Sequence, residues 1–286
     1  MSAVTRVGVV GPGQMGCGFA EVCARAGADV VVVARGEASA ERGRQRLEKS
    51  LDRLVAKGKM GVDERAETLA RVAFSWDVGA LADREFVLEA TPEDLDRKLA
   101  VFAELDEVVS EADAVLASTT SALSIMKLGR ATRDPGRVLG VHLFNPVQVM
   151  PLVELISSLA TDPAIAERAR AFLEDVLGKQ VVWAKDRAGF VVNSLLVPYL
   201  LAAVRLVESG VASAEDVDRG MTAGCGHPMG PLRLIDLIGL DTIAAVGEAM
   251  YAETKEALHA PPALLLRMVE GGYLGRKTGE GFFSYR

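Results

Sequence analysis

The chain has 286 residues, a formal net charge of −7 and a sequence pI near 5.2. This length favours two domains over one, and the acidic balance argues against a nucleic-acid or anionic-membrane partner. The three cysteines, Cys17, Cys23 and Cys225, have no metal-ligand spacing, so we expect no metal site and a reducing, cytoplasmic location. The N-terminus shows no secretory pattern, and the longest later apolar stretch, residues 195–207, is too short to span a bilayer.

A glycine-rich turn separates the first apolar run of the chain from the first helical pattern. The run Val7–Val10 predicts a buried strand, and residues 18–26 predict a helix. The turn between them consists of Gly11, Pro12, Gly13, Gln14, Met15 and Gly16. In a dinucleotide-binding unit the first glycine makes a tight turn, the second admits a pyrophosphate, and the third lets the helix pack on the strand. We therefore predict that this turn and the helix N-terminus bind the phosphates of a dinucleotide.

Short β-branched runs alternate with longer helical patterns through the first two-thirds of the chain. The runs are Val7–Val10, Val30–Val33, Phe86–Ala90, Ala114–Ala117 and Val138–Val141. Such alternation predicts an α/β fold with a doubly wound, parallel, Rossmann-type sheet. From residue 188 onward helical periodicity takes over, broken by Gly210, residues 224–231 and Gly239. We expect a dinucleotide-binding domain over residues 1–187 and a smaller all-helical domain over residues 188–286, which buries its apolar faces in a homodimer.

A strongly charged helical stretch lies within a helical insertion predicted near residues 40–70. Its cations are Arg42, Arg44, Arg46, Lys49, Arg53, Lys57 and Lys59. Such a run is usually a solvated helix face. The alternative is a cationic surface that binds a phosphate-bearing handle of a substrate.

The three histidines of the chain differ in their surroundings. His142 follows a predicted strand at its carboxyl end, where open α/β sheets place their ligands, so it is either a general base or a hydrogen-bonded core histidine. His227 and His259 stand in proline-flanked turns and are predicted to be structural or exposed. Glu154 lies in an apolar run and needs a partner if it is buried. A bond to His142 would fix the tautomer of the imidazole and stabilise the imidazolium; otherwise Glu154 points out of a strand.

Four consecutive hydroxyl residues follow another predicted strand. They are Ser118, Thr119, Thr120 and Ser121. Serine and threonine favour turns and helix N-caps, which is one interpretation. The other is that one hydroxyl hydrogen-bonds a substrate oxygen during hydride transfer.

Seven motifs occur in a fixed order along essentially the whole chain. They are Gly11–Gly16, Ala117–Ser121, His142–Pro146, Pro151–Glu154, Gly189–Asn193, His227–Pro231 and Gly275–Gly279. Together they resemble the 3-hydroxyacyl-CoA dehydrogenase family, in particular its short bacterial 3-hydroxybutyryl-CoA dehydrogenases. The resemblance implies hydride transfer between a (3S)-3-hydroxyacyl-CoA and a nicotinamide cofactor.

The resemblance also assigns roles to individual residues. It makes His142 the base that removes the 3-hydroxyl proton and Glu154 the residue that orients His142. Ser121 and Asn193 would hydrogen-bond the reacting oxygen and hold the thioester end of the substrate. Positions that contact the cofactor in this family correspond to Ala90, Glu93, Lys98 and Asn145. The residues of the cationic stretch that would bind the CoA phosphates are Lys49, Arg53 and Lys57.

Two positions depart from the family pattern. Members usually end the second strand with an acidic residue that accepts the ribose hydroxyls, whereas this chain has Ala34 and Arg35 there. A guanidinium suits the 2′-phosphate of NADP(H); alternatively Arg35 stacks near the adenine and NAD(H) is used. Thr119 replaces the usual asparagine, which changes the geometry near Ser121. That change would suit an unusual acyl group, such as one tethered to an acyl carrier protein.

We therefore predict an oxidoreductase that interconverts a short 3-hydroxyacyl-CoA, such as 3-hydroxybutyryl-CoA, and the 3-oxoacyl-CoA with NAD(H) or NADP(H). One alternative substrate is a hydroxyacyl group on a carrier protein. Another is a free hydroxy acid, as in the L-gulonate 3-dehydrogenase and lambda-crystallin branch, which would not need the cationic helix. A non-enzymatic cofactor-binding protein is the third alternative, and the intact set of Ser121, His142, Glu154 and Asn193 argues against it.

Overall fold

The computed structural model describes residues 4–285. Contacts between residues divide the chain after Asp186 into two compact units, here called unit 1 and unit 2. The boundary predicted from the sequence lies one residue later, after Arg187. Unit 1 contains the sheet, and unit 2 is helical.

One sheet of eight strands forms the centre of unit 1. Its strand order is β3-β2-β1-β4-β5-β6-β7-β8, and β1 to β6 pair in parallel. This order, which runs outward in both directions from β1, confirms the predicted Rossmann-type sheet. The strands are β1 (Arg6–Val10), β2 (Asp29–Val33), β3 (Val72–Ser75), β4 (Phe86–Glu89), β5 (Val115–Ser118), β6 (Val138–Leu143), β7 (Leu152–Ser157) and β8 (Gln180–Lys185).

Helices connect these strands. They are α1 (Gln14–Arg25), α2 (Glu37–Ala56), α3 (Val62–Ala70), α4 (Leu95–Val108), α5 (Ile125–Gly129) and α6 (Pro163–Ala171). The pair α2 and α3 fills the segment where the sequence predicts a helical insertion. The last turn of α6 continues as a short π-helix, Phe172–Val176.

The sheet departs from the purely parallel prediction after β6. Strand β7 pairs with β6 in the antiparallel sense, and β8 then pairs with β7 in parallel. Residues 144–151, which join β6 to β7, are too few for the helical crossover that a parallel neighbour requires. The reversal has a consequence for the site, because it places residues of β7 directly opposite residues of β6.

One part of the core of unit 1 lies between the sheet and the helices of one face. There the rings of Phe19 and Phe86 have centroids 5.8 Å apart, and those of Phe86 and Phe172 are 5.0 Å apart. Strands β1 and β2 are rich in valine because both of their faces are covered. Cys17 and Cys23 of α1 are also buried, and burial raises the pKa of both thiols.

Unit 2 contains five α-helices within the described residues. Gly210 and Gly239 fall between helices, and the predicted break at residues 224–231 overlaps the last two residues of α8 and the first residue of α9. Gly239 needs its conformational freedom, because its φ of 113° separates two consecutive helices. The helices are α7 (Val192–Glu208), α8 (Ala214–Cys225), α9 (Pro231–Ile238), α10 (Leu240–Thr254) and α11 (Ala263–Glu270).

Two buried carboxylates connect segments of unit 2. Asp218 of α8 accepts hydrogen bonds from the amides at the start of α9, with the Leu232 nitrogen 2.8 Å away. Asp236 of α9 accepts from the amides of Phe282 and Phe283, each at 2.9 Å. The residues near position 283 are thereby attached to α9. None of the helices within residues 4–285 combines the length and apolarity that crossing a membrane requires.

A buried carboxylate also connects two segments of unit 1. Asp106 of α4 lies 2.7 Å from Nε of Arg133 and 3.0 Å from an Nη of Arg137, and its side chain is only 5% exposed. Burial by itself would raise the pKa of Asp106, but the hydrogen bonds from both guanidinium groups outweigh burial and lower it. Because the folded-state pKa lies below the unfolded value, the ionised carboxylate stabilises the fold at neutral pH.

We expect Asp106→Asn to lower the free energy of unfolding by about 3 kcal/mol at pH 7, since it removes the ion pair with the buried Arg137 at 3.0 Å and leaves that guanidinium only the more distant Asp134, at 4.0 Å. The stabilisation is present above the unfolded pKa and is lost as the pH falls through the lowered one. The difference between wild type and variant should therefore begin to shrink only below about pH 4 and should be smaller at pH 3 than at pH 7. Urea unfolding at pH 7 and pH 3 measures both effects, with the exposed Glu104→Gln on the same helix as the control. A difference that stays constant with pH would contradict the charge-based explanation.

Candidate active site

Side chains of four strands meet at one edge of the sheet. Strands β1, β4, β5 and β6 run in parallel, so they end on the same side, here called the carboxyl edge. In open α/β sheets this is the edge at which ligands bind. The glycine turn, the hydroxyl cluster and His142 all follow or end these strands.

His142 and Glu154 form a buried pair at this edge. The antiparallel register of β6 and β7 sets them directly opposite each other. His142 Nδ1 lies 2.6 Å from Glu154 Oε2, and Glu154 is fully buried while His142 is 5% exposed. A carboxylate on Nδ1 leaves the proton-accepting lone pair on Nε2. The two residues that the sequence suggested as a pair are thus in contact.

Ser121 contacts the other nitrogen of the same imidazole. Its Oγ lies 3.2 Å from His142 Nε2. Glu93 holds the loop that carries Ser121, since one of its oxygens accepts from Thr120 Oγ1 at 2.5 Å and from the Ser121 amide at 3.0 Å. Ser121 and Glu93, both predicted as site residues, are therefore connected to His142 in one hydrogen-bonded chain.

Lys98, predicted as a cofactor contact, is completely buried below this chain. Its ammonium lies 2.9 and 2.8 Å from the two carboxylate oxygens of Glu89 and 3.6 Å from Glu93 Oε2. Ser118 Oγ donates to Glu89 at 2.7 Å. Because the Lys98 side chain has no exposed surface, its charged partners in this structure are the two glutamates. Glu89 was not identified from the sequence. Its position at the end of the apolar run Phe86–Glu89 could have indicated a buried carboxylate, just as the apolar run around Glu154 did.

The glycine turn has the shape that a dinucleotide pyrophosphate requires. Gly11 has φ 107°, and a Cβ there would lie 2.7 Å from the Ala90 carbonyl oxygen; a Cβ on Gly16 would lie 2.0 Å from the Gly11 oxygen. A Cβ on Gly13 would have its nearest neighbouring atom 3.9 Å away, so a ligand can approach the backbone there. No side chain within residues 4–285 caps α1, which leaves its first amides to bind an anion. These donors fit a pyrophosphate.

The remaining predicted cofactor residues lie around this turn. Gln14 Nε2 donates to Asn145 Oδ1 at 2.8 Å, which connects the start of α1 to the loop after β6. Met15 is partly buried against the core of unit 1. Ala90 follows β4, and its carbonyl faces Gly11.

The end of β2 carries no carboxylate. Ala34 is buried and Arg35 is exposed. A groove of about 460 Å³ lies beside them, lined by Glu37, Ala38, Ala40, Glu41, Arg44, Phe74 and Trp76. The Arg44 guanidinium lies 5.3 Å from the centroid of the Phe74 ring. The aromatic residues were not identified from the sequence, because β3 was not.

The predicted phosphate-binding cations lie on the surface. Lys49 and Arg53 are exposed on α2 one helical turn apart, and Lys57 follows at its end. Among the described residues, none of the three forms an ion pair with an acidic side chain. Their positive charges are therefore uncompensated at close range.

Asn193 belongs to unit 2, where it is the second residue of α7. Beside it lies an apolar groove of about 690 Å³, lined among others by Leu195, Leu196, Tyr199 and His227. His227 Nδ1 is 3.2 Å from Tyr199 Oη, and the buried His259 has its Nδ1 2.7 Å from a threonine hydroxyl. No cluster of acidic residues, histidines or cysteines in the described part of the chain could hold a metal ion.

Comparison with known proteins gives the same family for both units. The family models for 3-hydroxyacyl-CoA dehydrogenase match the chain twice, the NAD binding domain over residues 6–187 and the C-terminal domain over residues 189–285. A 3-hydroxybutyryl-CoA dehydrogenase of Mycobacterium tuberculosis is 56% identical over 283 residues, which are 99% of each chain.

Solved structures agree with these sequence matches. FadB2 of M. tuberculosis superposes with a TM-score of 0.98 at 55% identity and full coverage of both chains. The (S)-3-hydroxybutyryl-CoA dehydrogenase of Ralstonia eutropha has a TM-score of 0.94 at 42% identity, over 99% of this chain and 100% of its own. The chain, an oxidoreductase with an NAD-binding domain, therefore belongs to the 3-hydroxyacyl-CoA dehydrogenase family.

Proposed function

We propose that the protein interconverts (3S)-3-hydroxybutyryl-CoA, or a similarly short 3-hydroxyacyl-CoA, and the corresponding 3-oxoacyl-CoA. The observation that carries this proposal is the position of His142 between Ser121 Oγ and Glu154 Oε2. The preference for a short acyl chain is supported by the two relatives that are named for 3-hydroxybutyryl-CoA.

In the oxidation direction, His142 Nε2 accepts the proton of the substrate 3-hydroxyl. Glu154, bonded to Nδ1, keeps that proton-accepting nitrogen directed towards the carboxyl edge and stabilises the positive charge that forms on the ring. The nicotinamide cofactor, when bound, supplies the hydride acceptor for oxidation and the hydride donor for reduction. In the reverse reaction His142 returns the proton to the oxygen as the hydroxyl forms.

Ser121 and Asn193 position the substrate in this proposal. Ser121 Oγ, 3.2 Å from the imidazole, hydrogen-bonds the same 3-oxygen and aligns it with Nε2. Asn193 holds the thioester end, as the family resemblance implies. Glu93, which accepts from the Ser121 amide, keeps the serine in place.

The exposed cations of α2 support a CoA substrate. Lys49, Arg53 and Lys57 offer uncompensated charge to the phosphates of CoA. A free hydroxy acid would not use them. A phosphopantetheine arm on an acyl carrier protein would use part of the same surface, so the carrier-bound substrate remains the second candidate.

We infer that NADPH is accepted alongside NADH. The support is the missing carboxylate at Ala34 and the exposed guanidinium of Arg35, which suits a 2′-phosphate. Glu37 and Glu41 line the neighbouring groove, and their negative charge limits the preference for the extra phosphate. The family match itself concerns NAD.

We also infer that two copies associate through unit 2. The support is the apolar groove beside Asn193 and its exposed rim, in which Leu195 is 75% and Leu237 48% exposed. Exposed apolar area of this kind marks an association surface. A cytoplasmic location stays a prediction from the sequence.

His142→Ala should lower kcat for acetoacetyl-CoA reduction about a hundredfold or more, the usual size of a general acid–base contribution. The dissociation constant of NADH should change little, because His142 does not belong to the glycine turn. Stopped-flow absorbance gives the rate and calorimetric titration gives the affinity. Thermal unfolding serves as the control for the fold, and normal turnover in a folded variant would refute the assignment.

Arg35→Asp should move the preference between the two cofactors towards NADH. A charged hydrogen bond to the 2′-phosphate contributes about 1.5–3 kcal/mol to binding. Its loss should therefore lower the ratio of kcat/KM for NADPH to that for NADH by at least about tenfold. Steady-state assays with both cofactors and acetoacetyl-CoA measure that ratio. Arg42→Gln, another exposed arginine of the same segment, is the matched control. An unchanged ratio for Arg35→Asp would show that Arg35 does not contact the phosphate.

A triple variant, Lys49→Ala with Arg53→Ala and Lys57→Ala, should raise KM for acetoacetyl-CoA about tenfold, since each exposed contact contributes about 0.5 kcal/mol. The rate constant kcat should stay the same. The N-acetylcysteamine thioester of acetoacetate, which lacks the phosphates, is the internal control and should show equal KM values in wild type and variant. If the KM for the CoA thioester is also unchanged, the free hydroxy acid becomes the better candidate.

A further inference from the structure

The hydroxyl of Thr119 is buried at the carboxyl edge without a hydrogen-bond partner among residues 4–285. In this part of the chain the buried side-chain atoms that lack a partner are Glu21 Oε1, Thr119 Oγ1, Arg137 Nε and Arg168 Nε. The glutamate and both arginines bond through their other polar atoms. Thr119 has a single polar side-chain atom, so its side chain makes no hydrogen bond to any of the described residues.

Strand alternation places this hydroxyl on the side of the sheet that carries α1. Ala117, two residues earlier, packs in the same core cluster as Phe19 of α1. Ser118 and Thr120 point to the other face, where their hydroxyls bond Glu89 and Glu93. Thr119 therefore faces the side of the carboxyl edge on which the glycine turn begins α1.

An unpaired buried hydroxyl lowers the stability of a protein, and valine would fill the same space without that cost. A hydroxyl that both donates and accepts is suited to a ribose hydroxyl or a carboxamide. In the strand order β2-β1-β4-β5, Thr119 follows β5 and β2 lies on the far side of the glycine turn. A dinucleotide bound across this edge with its adenosine at β2 would have its nicotinamide half near β5.

We propose that Thr119 is a cofactor-binding residue whose Oγ1 hydrogen-bonds the nicotinamide half of the dinucleotide. This inference rests on the proposed function, since it requires that a dinucleotide binds at the carboxyl edge. It assigns a role to the position where the chain departs from the family's asparagine. The departure then concerns cofactor affinity and not the acyl group.

The test compares Thr119→Val with wild type in two ligand titrations and one unfolding experiment. NADH should bind the variant about five- to tenfold more weakly, whereas ADP, which lacks the nicotinamide half, should bind equally. The ligand-free variant should unfold at a higher temperature than wild type, because an unpaired hydroxyl has been removed. Affinity and stability thus change in opposite directions, which a general packing defect would not produce. Thr119→Ser keeps the hydroxyl and should bind NADH nearly as wild type does.

The matched control is Thr132→Val. Thr132 is also buried in unit 1, but its Oγ1 donates to the Gly129 carbonyl oxygen at 2.7 Å. Its loss should lower the unfolding temperature and leave both dissociation constants unchanged.

Three outcomes would overturn the inference. Equal NADH binding by wild type and Thr119→Val would mean that Oγ1 does not contact the cofactor. If the variant also unfolds at a lower temperature than wild type, the hydroxyl binds only an ordered water. If Thr119→Val weakens the binding of NADH and ADP by the same factor, the substitution has distorted the glycine turn. If wild type itself binds neither NADH nor NADPH, the proposed function fails and the inference fails with it. That result is distinguishable from the others because it does not involve the variant.

Discussion

The carboxyl edge depends on one buried ammonium group. Lys98, fully buried on α4, faces the carboxylates of Glu89 and Glu93, and through them it connects β4, α4 and the loop after β5. Glu89 is fully buried and needs a cationic partner, since burial strongly disfavours unpaired charge, whereas the side chain of Glu93 is 43% exposed. Because Glu93 also accepts the amide of Ser121, the ion pair between Lys98 and Glu93 helps to position that serine beside His142.

The sequence could predict those parts of the site that are local. Apolar runs around the glycine turn indicate strand, turn and helix, and acidic or basic residues inside apolar runs, such as Glu154 and His142, indicate buried polar groups. The register that brings this pair together could not be predicted, because it depends on the reversal of β7. The burial of Lys98 was likewise not visible, since its position on a charged helix is typical of an exposed lysine.

Each unit is held together by its own set of buried groups. Unit 1 contains the glycine turn and the pair His142 and Glu154, which lie opposite each other in neighbouring strands of a sheet covered on both faces. Unit 2 has its own apolar core and carries Asn193 on the first turn of α7. Its loops are fixed by the buried carboxylates of Asp218 and Asp236.

The distribution of cysteine and tryptophan gives the two units separate spectroscopic labels. Both tryptophans, Trp76 and Trp183, lie in unit 1 and are about half exposed, at 60% and 48%. In unit 2 the exposed thiol is Cys225, whereas Cys17 and Cys23 are shielded from reagents by burial, which also raises their pKa. A thiol-specific dye on the unsubstituted chain therefore labels unit 2, and energy transfer from tryptophan to that dye would report the distance between the units as ligands bind.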